Sequence, residues 1–417
     1  MRLKLTKLEK YWILYDVGNS AFVLLVSTIM PIYFNYLAGK EGLSSVEYLA
    51  YWGYAASITT LLVALSGPVF GTIADNKGFK KPIFLSSVLI GVVGCLVLGF
   101  TRQWLLFLIL FIVAKYGFSL SLIFYDSMLG DVTEESRMDA VSSQGYAWGY
   151  IGSCVPFAVC LMLVLGSGKI GISMETAMTI AFAITAAWWL GVTVPFLKNY
   201  QQKYYVEHRQ GAVAESFGRL WQTLKDIRNE KAILFFLVAF FFYIDGVYTI
   251  IDMATAYGSA LGLDSTGLLL ALLVTQIVAF PCAIIFGRLA GKFKSEHLIM
   301  VCILAYTGIA IYAMFLKTQG QFWVLAVCVG MFQGGIQALS RSYFAKIIPN
   351  EKSGEYFGLL DICGKGASFV GTTIVSVVSQ ISGDVSKGVG MIAVLFVVGM
   401  LLFGKAIQCK NRAGLDL

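Results

Sequence analysis

Residues 198–231 read KNYQQKYYVEHRQGAVAESFGRLWQTLKDIRNEK. This polar interval interrupts a chain of 417 residues in which 58% are hydrophobic and only 13% charged. Soluble domains carry roughly 45–50% apolar and 25% charged residues, so the flanks belong to a polytopic membrane protein. A membrane-crossing helix needs about 20 apolar residues. That window gives segments near 11–37, 47–74, 83–101, 104–130, 141–166 and 174–197 before the interval, and near 232–260, 265–290, 297–316, 321–347, 354–381 and 386–408 after it. The predicted fold class is an all-α integral membrane protein of twelve transmembrane helices. It divides into an N-terminal six-helix bundle over 1–198, a cytoplasmic linker over 199–230 and a C-terminal six-helix bundle over 231–417.

The interval is too short for a folded domain. Val213, Phe217, Leu220, Trp221, Leu224 and Ile227 recur in it at helical spacing with charges between them, which predicts an amphipathic helix on the cytoplasmic membrane surface. Its plainest role is a covalent strap between the halves.

Lysine and arginine set the orientation, because basic loops stay cytoplasmic. With both termini inside, 24 of the 31 basic residues fall on the cytoplasmic side and five on the other, with Lys115 and Lys365 deep within predicted helices. The net charge of +7 is then explained by an anionic inner leaflet, and no nucleic-acid partner is implied. The basic start MRLKLTKLEK resembles a signal peptide, but the segment after it is too long, is polar at Asp16 and lacks a small-x-small cleavage site. It reads as an uncleaved first helix. The eight cysteines are mostly scattered through apolar segments with no CxxC pair, and both histidines, His208 and His297, fall in or beside predicted cytoplasmic loops. Neither a metal site nor a disulfide framework is expected, and no cofactor.

Six spans, a basic linker and six more spans suggest an internal duplication. Tyr15-Asp-Val-Gly18 in the first span is similar to Tyr243-Ile-Asp-Gly246 in the seventh. The stretch FYDSMLGDVTEESRMDAVSSQGYAWGYIG is likewise similar to SRSYFAKIIPNEKSGEYFGLLDICGKGASFVG at the matching place in the second half.

Between the second and third spans, GPVFGTIADNKGFKK (67–81) fits GxxxDxxGx[KR][KR]. Gly71 permits close helix approach, Asp75 ends the helix, Gly78 makes a tight turn, and Lys80 and Lys81 hold the loop inside. This stretch resembles the loop motif of the major facilitator superfamily, whose members often carry Arg directly after the Asp. Asn76 stands there in this chain, so the loop lacks the guanidinium of the charge relay that the resemblance implies at the inward-side gate. WILYDVGNSAF (12–22), YIDGVYTI (243–250), GGIQALSRSYFA (334–345) and FGLLDICGK (357–365) narrow the resemblance to the vacuole effluxer family, named for the yeast autophagy-related permeases, over nearly the whole chain. For the yeast branch the resemblance implies export of neutral amino acids; for a compact bacterial-style chain it implies a solute permease with the major facilitator fold. Antiporters of the superfamily often carry GxxxGPxxGG in the fifth helix. Here Tyr150 stands at the Pro and Ser153 at the last Gly, which weakens a drug/proton exchanger and leaves close helix packing as the better reading of Gly145, Gly149 and Gly152.

Buried charge marks the candidate site. At 1.5 Å rise per residue, Lys115, Asp245, Gln333 and Lys365 fall near the midplane. Asp16, Asp126, Arg341 and Asp361 fall about 10–14 Å towards the cytoplasm, and Asp252 about 10 Å the other way. A charge at the bilayer centre costs at least about 2.5–3.5 kcal/mol, so these groups pair or line a wet cavity. The resemblance places the first, fourth, seventh and tenth helices around that cavity, with helix eleven bringing Lys365 to its edge.

Plainer readings stand beside this one. Asp126 reads as a hydrated helix end, Asp361 and Lys365 are four apart and can neutralise each other, and the aromatic runs are mostly lipid or packing surface.

The expected function is a secondary active permease, monomeric and not an enzyme, in the cell membrane with both termini cytoplasmic. It moves a small polar or zwitterionic solute of the neutral amino acid kind by alternating access, coupled to a proton or another ion. Lys115 or Lys365 would take the carboxylate and Asp245 the amine, with Gln333, Tyr243 and Tyr248 lining the site. Asp16, Asn19, Asp252, Arg341 and Asp361 are coupling or gating candidates, and Asp16 and Arg341 should approach when the cavity closes towards the cytoplasm. Three rivals are a lipid or amphiphile flippase of the same fold, a solute sensor that moves nothing, and an intramembrane protease. For the last, Tyr125-Asp126 and Gly130-Asp131 sit on one helix end and not on two facing helices.

Overall fold

The structure is a computed structural model that describes residues 4–207 and 212–412; the side chains of 45–46, 48–49, 212–217, 265–266, 269 and 365–369 lie outside that description. Its helices are α1 (Lys7–Lys40), α2 (Ser45–Ala74), α3 (Lys80–Leu98), α4 (Trp104–Ser127), α5 (Met138–Leu165), α6 (Met174–Asn199) and α7 (Ala212–Asn229). Then follow α8 (Lys231–Ala260), α9 (Ser265–Leu289), α10 (Ser295–Met314), α11 (Gln319–Ile347), α12 (Ser353–Ser382) and α13 (Ile392–Arg412). Eleven described helices are long and apolar enough to cross a membrane, and α12 adds the shorter apolar stretch Val370–Ser382. Among the described residues there is one isolated β-bridge, Asn76 to Val206, and no strand.

The sequence starts and stops these helices by ordinary means. Thr6 with Glu9, Ser44 with Glu47 and Thr318 with Gln321 form capping boxes that satisfy the first free N–H groups of α1, α2 and α11. Within α1 the backbone widens to a π turn at Leu25–Ile29, just before Pro31, which has no N–H to give a regular helix. Leu65, Met162, Leu401 and other large apolar side chains remain exposed, as a lipid-facing surface requires.

The packing repeats. In the first half α1 packs on α5 and α6, α2 and α3 on α4, and α3 on α6. In the second half α8 packs on α12 and α13, α9 and α10 on α11, and α10 on α13. Adding seven to each label of the first set gives the second. The halves meet in the same paired way, through α2 with α12 and α5 with α9.

The short similarity between Tyr15-Asp-Val-Gly18 and Tyr243-Ile-Asp-Gly246 has a structural meaning. Tyr15 donates to Ser121 on α4 at 2.5 Å, and Tyr243 shares a 2.7 Å hydrogen bond with Ser340 on α11. A Cβ on Gly18 would meet Val192 on α6, and one on Gly246 would meet Phe396 on α13. Both tetrapeptides seat the first helix of a half on its fourth and sixth.

The even number of spans puts both described chain ends and the linker on one face, called here the terminal face. The linker forms the amphipathic helix α7, with Ile227 and Thr223 buried and Trp221 62% exposed; the side chains of Val213 and Phe217 lie outside the described residues.

Candidate functional site

Towards the terminal face, the halves meet around Arg341. This residue lies six positions before the end of α11, so about 9 Å from it, and is 4% exposed. Its Nη1 donates to Asp126 Oδ1 at 2.9 Å, and Nη2 lies 3.4 Å from Asp16 Oδ2. Nε donates to Ser142 Oγ at 2.9 Å and Nη2 to the Ser142 carbonyl at 3.0 Å. The guanidinium also sits 4.7 Å from the centroid of Trp12, 5.4 Å from that of Tyr125 and 4.3 Å from that of Tyr146, a cation–π setting that suits Arg better than Lys. Asp16 is held in turn by Tyr125 Oη at 2.8 Å and Asn19 Nδ2 at 3.4 Å. Three helices of the first half, α1, α4 and α5, thus converge on one cation of the second. The reading of Asp126 as a hydrated helix end is corrected: it is part-buried and ion-paired to Arg341.

Gly145 makes this convergence sterically possible. A Cβ there would stand 2.5 Å from Asp16 Oδ2 and 3.1 Å from Arg341 Nη2. Gly149 and Gly152 likewise let α5 approach α1 at Ser20 and Val17, the packing that the small-residue spacing predicts.

A second tie between the halves lies nearer the terminal face. Asp75, wholly buried, accepts from the backbone N–H groups of Gly354 at 2.8 Å and Glu355 at 2.9 Å. It therefore caps α12, where the unpaired N–H groups and the helix dipole favour an anion. Gly71 is required for that approach, since its Cβ would lie 2.2 Å from the Gly354 carbonyl oxygen. Gly78 turns the chain at φ +82°. Lys80 is buried, 3.4 Å from Asp75 and 2.8 Å from Ser353 Oγ, so its work goes beyond holding the loop on one side; Lys81 is half-buried. On the pseudo-symmetric contact, Asp139 at the start of α5 accepts from Ser295 and Ser342 and pairs with Lys346.

Away from the terminal face the groups are differently placed. Lys115 on α4 is half-buried, with Nζ 5.6 Å from the Phe111 ring. Asp252 on α8 is exposed, and Lys115 of the other half acts on it electrostatically. Tyr248, one turn before Asp252 on the same helix, is half-buried. A small pocket between α8, α9 and α11 is lined by Ile250, Ile251, Leu272, Gln276, Phe322 and Gln333 among others, and Gln333 Oε1 has no hydrogen-bond partner.

Two expected site residues face elsewhere. Tyr243 is wholly buried, bonded to Ser340 and packed edge-on against Phe403, so it presents no face to a solute. Asp245 is also wholly buried, accepting from Gly371 N–H at 3.0 Å and Thr249 Oγ1 at 3.2 Å in the seam between α8 and α12. The reason is one residue of register. Counting from Tyr15 and Tyr243, Asp245 occupies the place of Val17, which packs on Gly152 of α5, and not that of Asp16. Asp361 is half-buried, and the side chain of Lys365 lies outside the described residues.

Sequence reasoning missed Trp12, Tyr125, Ser142 and Tyr146 around Arg341, and the Asp139–Lys346 pair. The first four come from three helices and no local spacing links them. Asp139 had a weak signal, an acid in the first turn of a helix facing a basic loop.

The family description "Vacuole effluxer Atg22 like" matches the chain over residues 6–412. The uncharacterized MFS-type transporter YxiO of Bacillus subtilis (strain 168) is 44% identical over 407 residues, 96% of this chain and 95% of that one. Autophagy-related protein 22 of Botryotinia fuckeliana is 24% identical over 284 residues, 61% of this chain and 48% of that one. Among solved structures, the major facilitator transporter FucP in the outward conformation superposes with a TM-score of 0.71 at 14% identity, over 96% of this chain and 97% of that one. A bacterial homologue of ferroportin in an outward-facing state gives 0.68 at 13% identity, over 96% and 98%. These two likenesses show the fold.

Proposed function

Because the chain belongs to the vacuole effluxer Atg22-like family, secondary transporters and not enzymes, we propose that it carries a small zwitterion of the neutral amino acid class by proton-coupled alternating access. The observation that carries this reading is that Lys115 of one half and Asp252 of the other lie near enough for the lysine to act electrostatically on the carboxylate. An ammonium and a carboxylate on opposite walls suit a solute bearing both opposite charges. The solute's carboxylate lies towards Lys115 and its amine towards Asp252, which takes the role expected of Asp245. The apolar cavity beside Gln333 and Gln276 suits an uncharged side chain, and Tyr248 offers a ring to the amine.

Positive loops put the terminal face on the cytoplasmic side of the cell membrane. The ties through Arg341, Asp75 and Asp139 then close the cytoplasmic side, which fits an outward-open state, with Asp16–Arg341 as a gate. One guanidinium between Asp16 and Asp126 leaves one net negative charge in the cluster. A proton on one of the two carboxylates removes one of the two ion pairs that hold Arg341, which weakens the gate and couples proton entry to its opening. Both walls of the cavity belong to one chain, so the monomer is the working unit.

The experiment is uptake of radiolabelled neutral amino acids into proteoliposomes, with and without a pH gradient, by wild type, Lys115→Ala and Asp252→Asn. Equal uptake by all three of every amino acid carried would sink the assignment of the site.

A further inference from the structure

The linker returns to the gate it connects. After α6, the Val206 N–H donates to the Asp75 carbonyl at 2.8 Å and the Lys77 N–H to the Val206 carbonyl at 3.2 Å, stitching the strap to the loop that carries Asp75. Helix α7 then packs against α2 and α8, with Asp226 reaching Lys352 just before α12. Its inner face presents Arg219, Thr223 and Ile227, spaced four apart, while Trp221, Leu224, Lys225 and Arg228 point outward.

Beneath that inner face are two buried polar groups left open by the rest of the fold. The Asn76 side chain gives its N–H to the Thr72 and Ile73 carbonyls, and its Oδ1 accepts from Arg219 Nη1 at 3.2 Å. Glu355, in the first turn of α12, is wholly buried with no hydrogen bond to either carboxylate oxygen. Arg219 and Lys352 set a positive field on it, and Asp75 a negative one. Arg219 Nη2 and Thr223 Oγ1 are themselves buried and unbonded. A buried carboxylate without a hydrogen bond is costly. The positive charges of Arg219 and Lys352 and the positive end of α12 offset part of that cost. The offset exists only while α2 and α12 are together, because Asn76 belongs to one half and Glu355 to the other.

We propose that α7 is a latch on the terminal-side gate, in which Arg219 supplies from the linker the guanidinium that the loop lacks at Asn76 and clasps Asn76 and Glu355 while the gate is shut. Arg219 is a positioning residue: it touches no solute and acts by weighting the shut gate over the open one. The Lys352–Asp226 pair at 3.9 Å ties the same helix to the start of α12. A strap that merely joined the halves would need no buried cation at the seam.

The latch rests on the transport reading only for its purpose, and its test uses no solute. Spin labels at Glu41→Cys and Lys317→Cys, exposed on the opposite face in different halves, report the distance between the halves in full-length protein in lipid nanodiscs. Arg219→Ala should shift the equilibrium about tenfold towards the short distance, the scale of one hydrogen bond to a charged group. Adding Asn76→Arg should restore the long distance, because it returns a guanidinium to the loop. Trp221→Ala, on the outer face, should leave the distribution as in wild type. If Arg219→Ala does not yield monodisperse protein, Arg219→Gln carries the same expectation. A wild-type distribution in the Arg219 variant, or no recovery on adding Asn76→Arg, overturns the proposal.

Discussion

Arg341 of α11 holds Asp16 of α1 at 3.4 Å and Asp126 of α4 at 2.9 Å, so one guanidinium serves two carboxylates of the other half. Replacing it with Ala would leave the buried Asp16 and the part-buried Asp126 without a cation. Breaking a buried pair in this way costs about 3–5 kcal/mol. Arg341→Ala should therefore unfold at a clearly lower temperature in detergent and lose transport. Arg341→Lys should recover part of the thermal stability and little transport, since an ammonium cannot reach two acids and Ser142 together while stacking on Trp12 and Tyr146. Thermal unfolding and uptake measured on both variants decide it; a fully active Lys variant would refute the fork geometry.

Gly145 has room for a hydrogen and nothing more. In Gly145→Ala the new methyl would lie 2.5 Å from Asp16 Oδ2, so α5 must move off α1 or the ion pair must open. Overpacking of this kind costs about 1–3 kcal/mol. The expected result is a lowered unfolding temperature and transport reduced more than for Gly191→Ala, where a Cβ meets nothing within 4 Å. Equal behaviour of the two variants would show that α5 moves freely here.

The fold was legible because hydropathy reports on the solvent directly: each predicted span has its helix, and the polar interval carries α7. The small residues of α5 were legible for the same local reason. Counting the helical rise from each span's centre put Asp16 and Arg341 at one level, and the two side chains meet across more than 300 positions. Facing direction was not. Tyr243 and Asp245 both turn into helix seams, and a one-residue offset rotates a side chain by about 100° on a helix. Asp252, one heptad later on nearly the same face by spacing alone, is exposed towards Lys115. The wall around Arg341 was illegible because its aromatics are brought together only by packing.

The matched pairs Tyr15–Ser121 and Tyr243–Ser340 predict matched effects. Tyr243→Phe removes one buried hydrogen bond and keeps the ring against Phe403. The expected cost is about 1 kcal/mol, with solute affinity unchanged; Tyr15→Phe should cost a similar amount. A large loss of binding on Tyr243→Phe, measured by thermal shift with a transported amino acid, would return that ring to the solute site.

Lys115 and Asp252 should behave in the opposite way, with function lost and stability kept. Asp252 is exposed and Lys115 half-buried, so truncating either should leave the unfolding temperature near that of wild type, because charges that reach solvent contribute only about 0–1 kcal/mol to stability. Each single change should abolish uptake. Exchange of the two charges in Lys115→Asp with Asp252→Lys keeps the pair but reverses the field across the cavity. If the pair acts only as a structural ion bridge, the exchanged protein should transport again. If the two groups orient a zwitterion against the fixed apolar cavity of α8, α9 and α11, the exchanged protein should fold, remain as stable as wild type and still fail to carry the solute. Uptake by the exchanged variant at the wild-type rate would therefore remove Lys115 and Asp252 from the solute site.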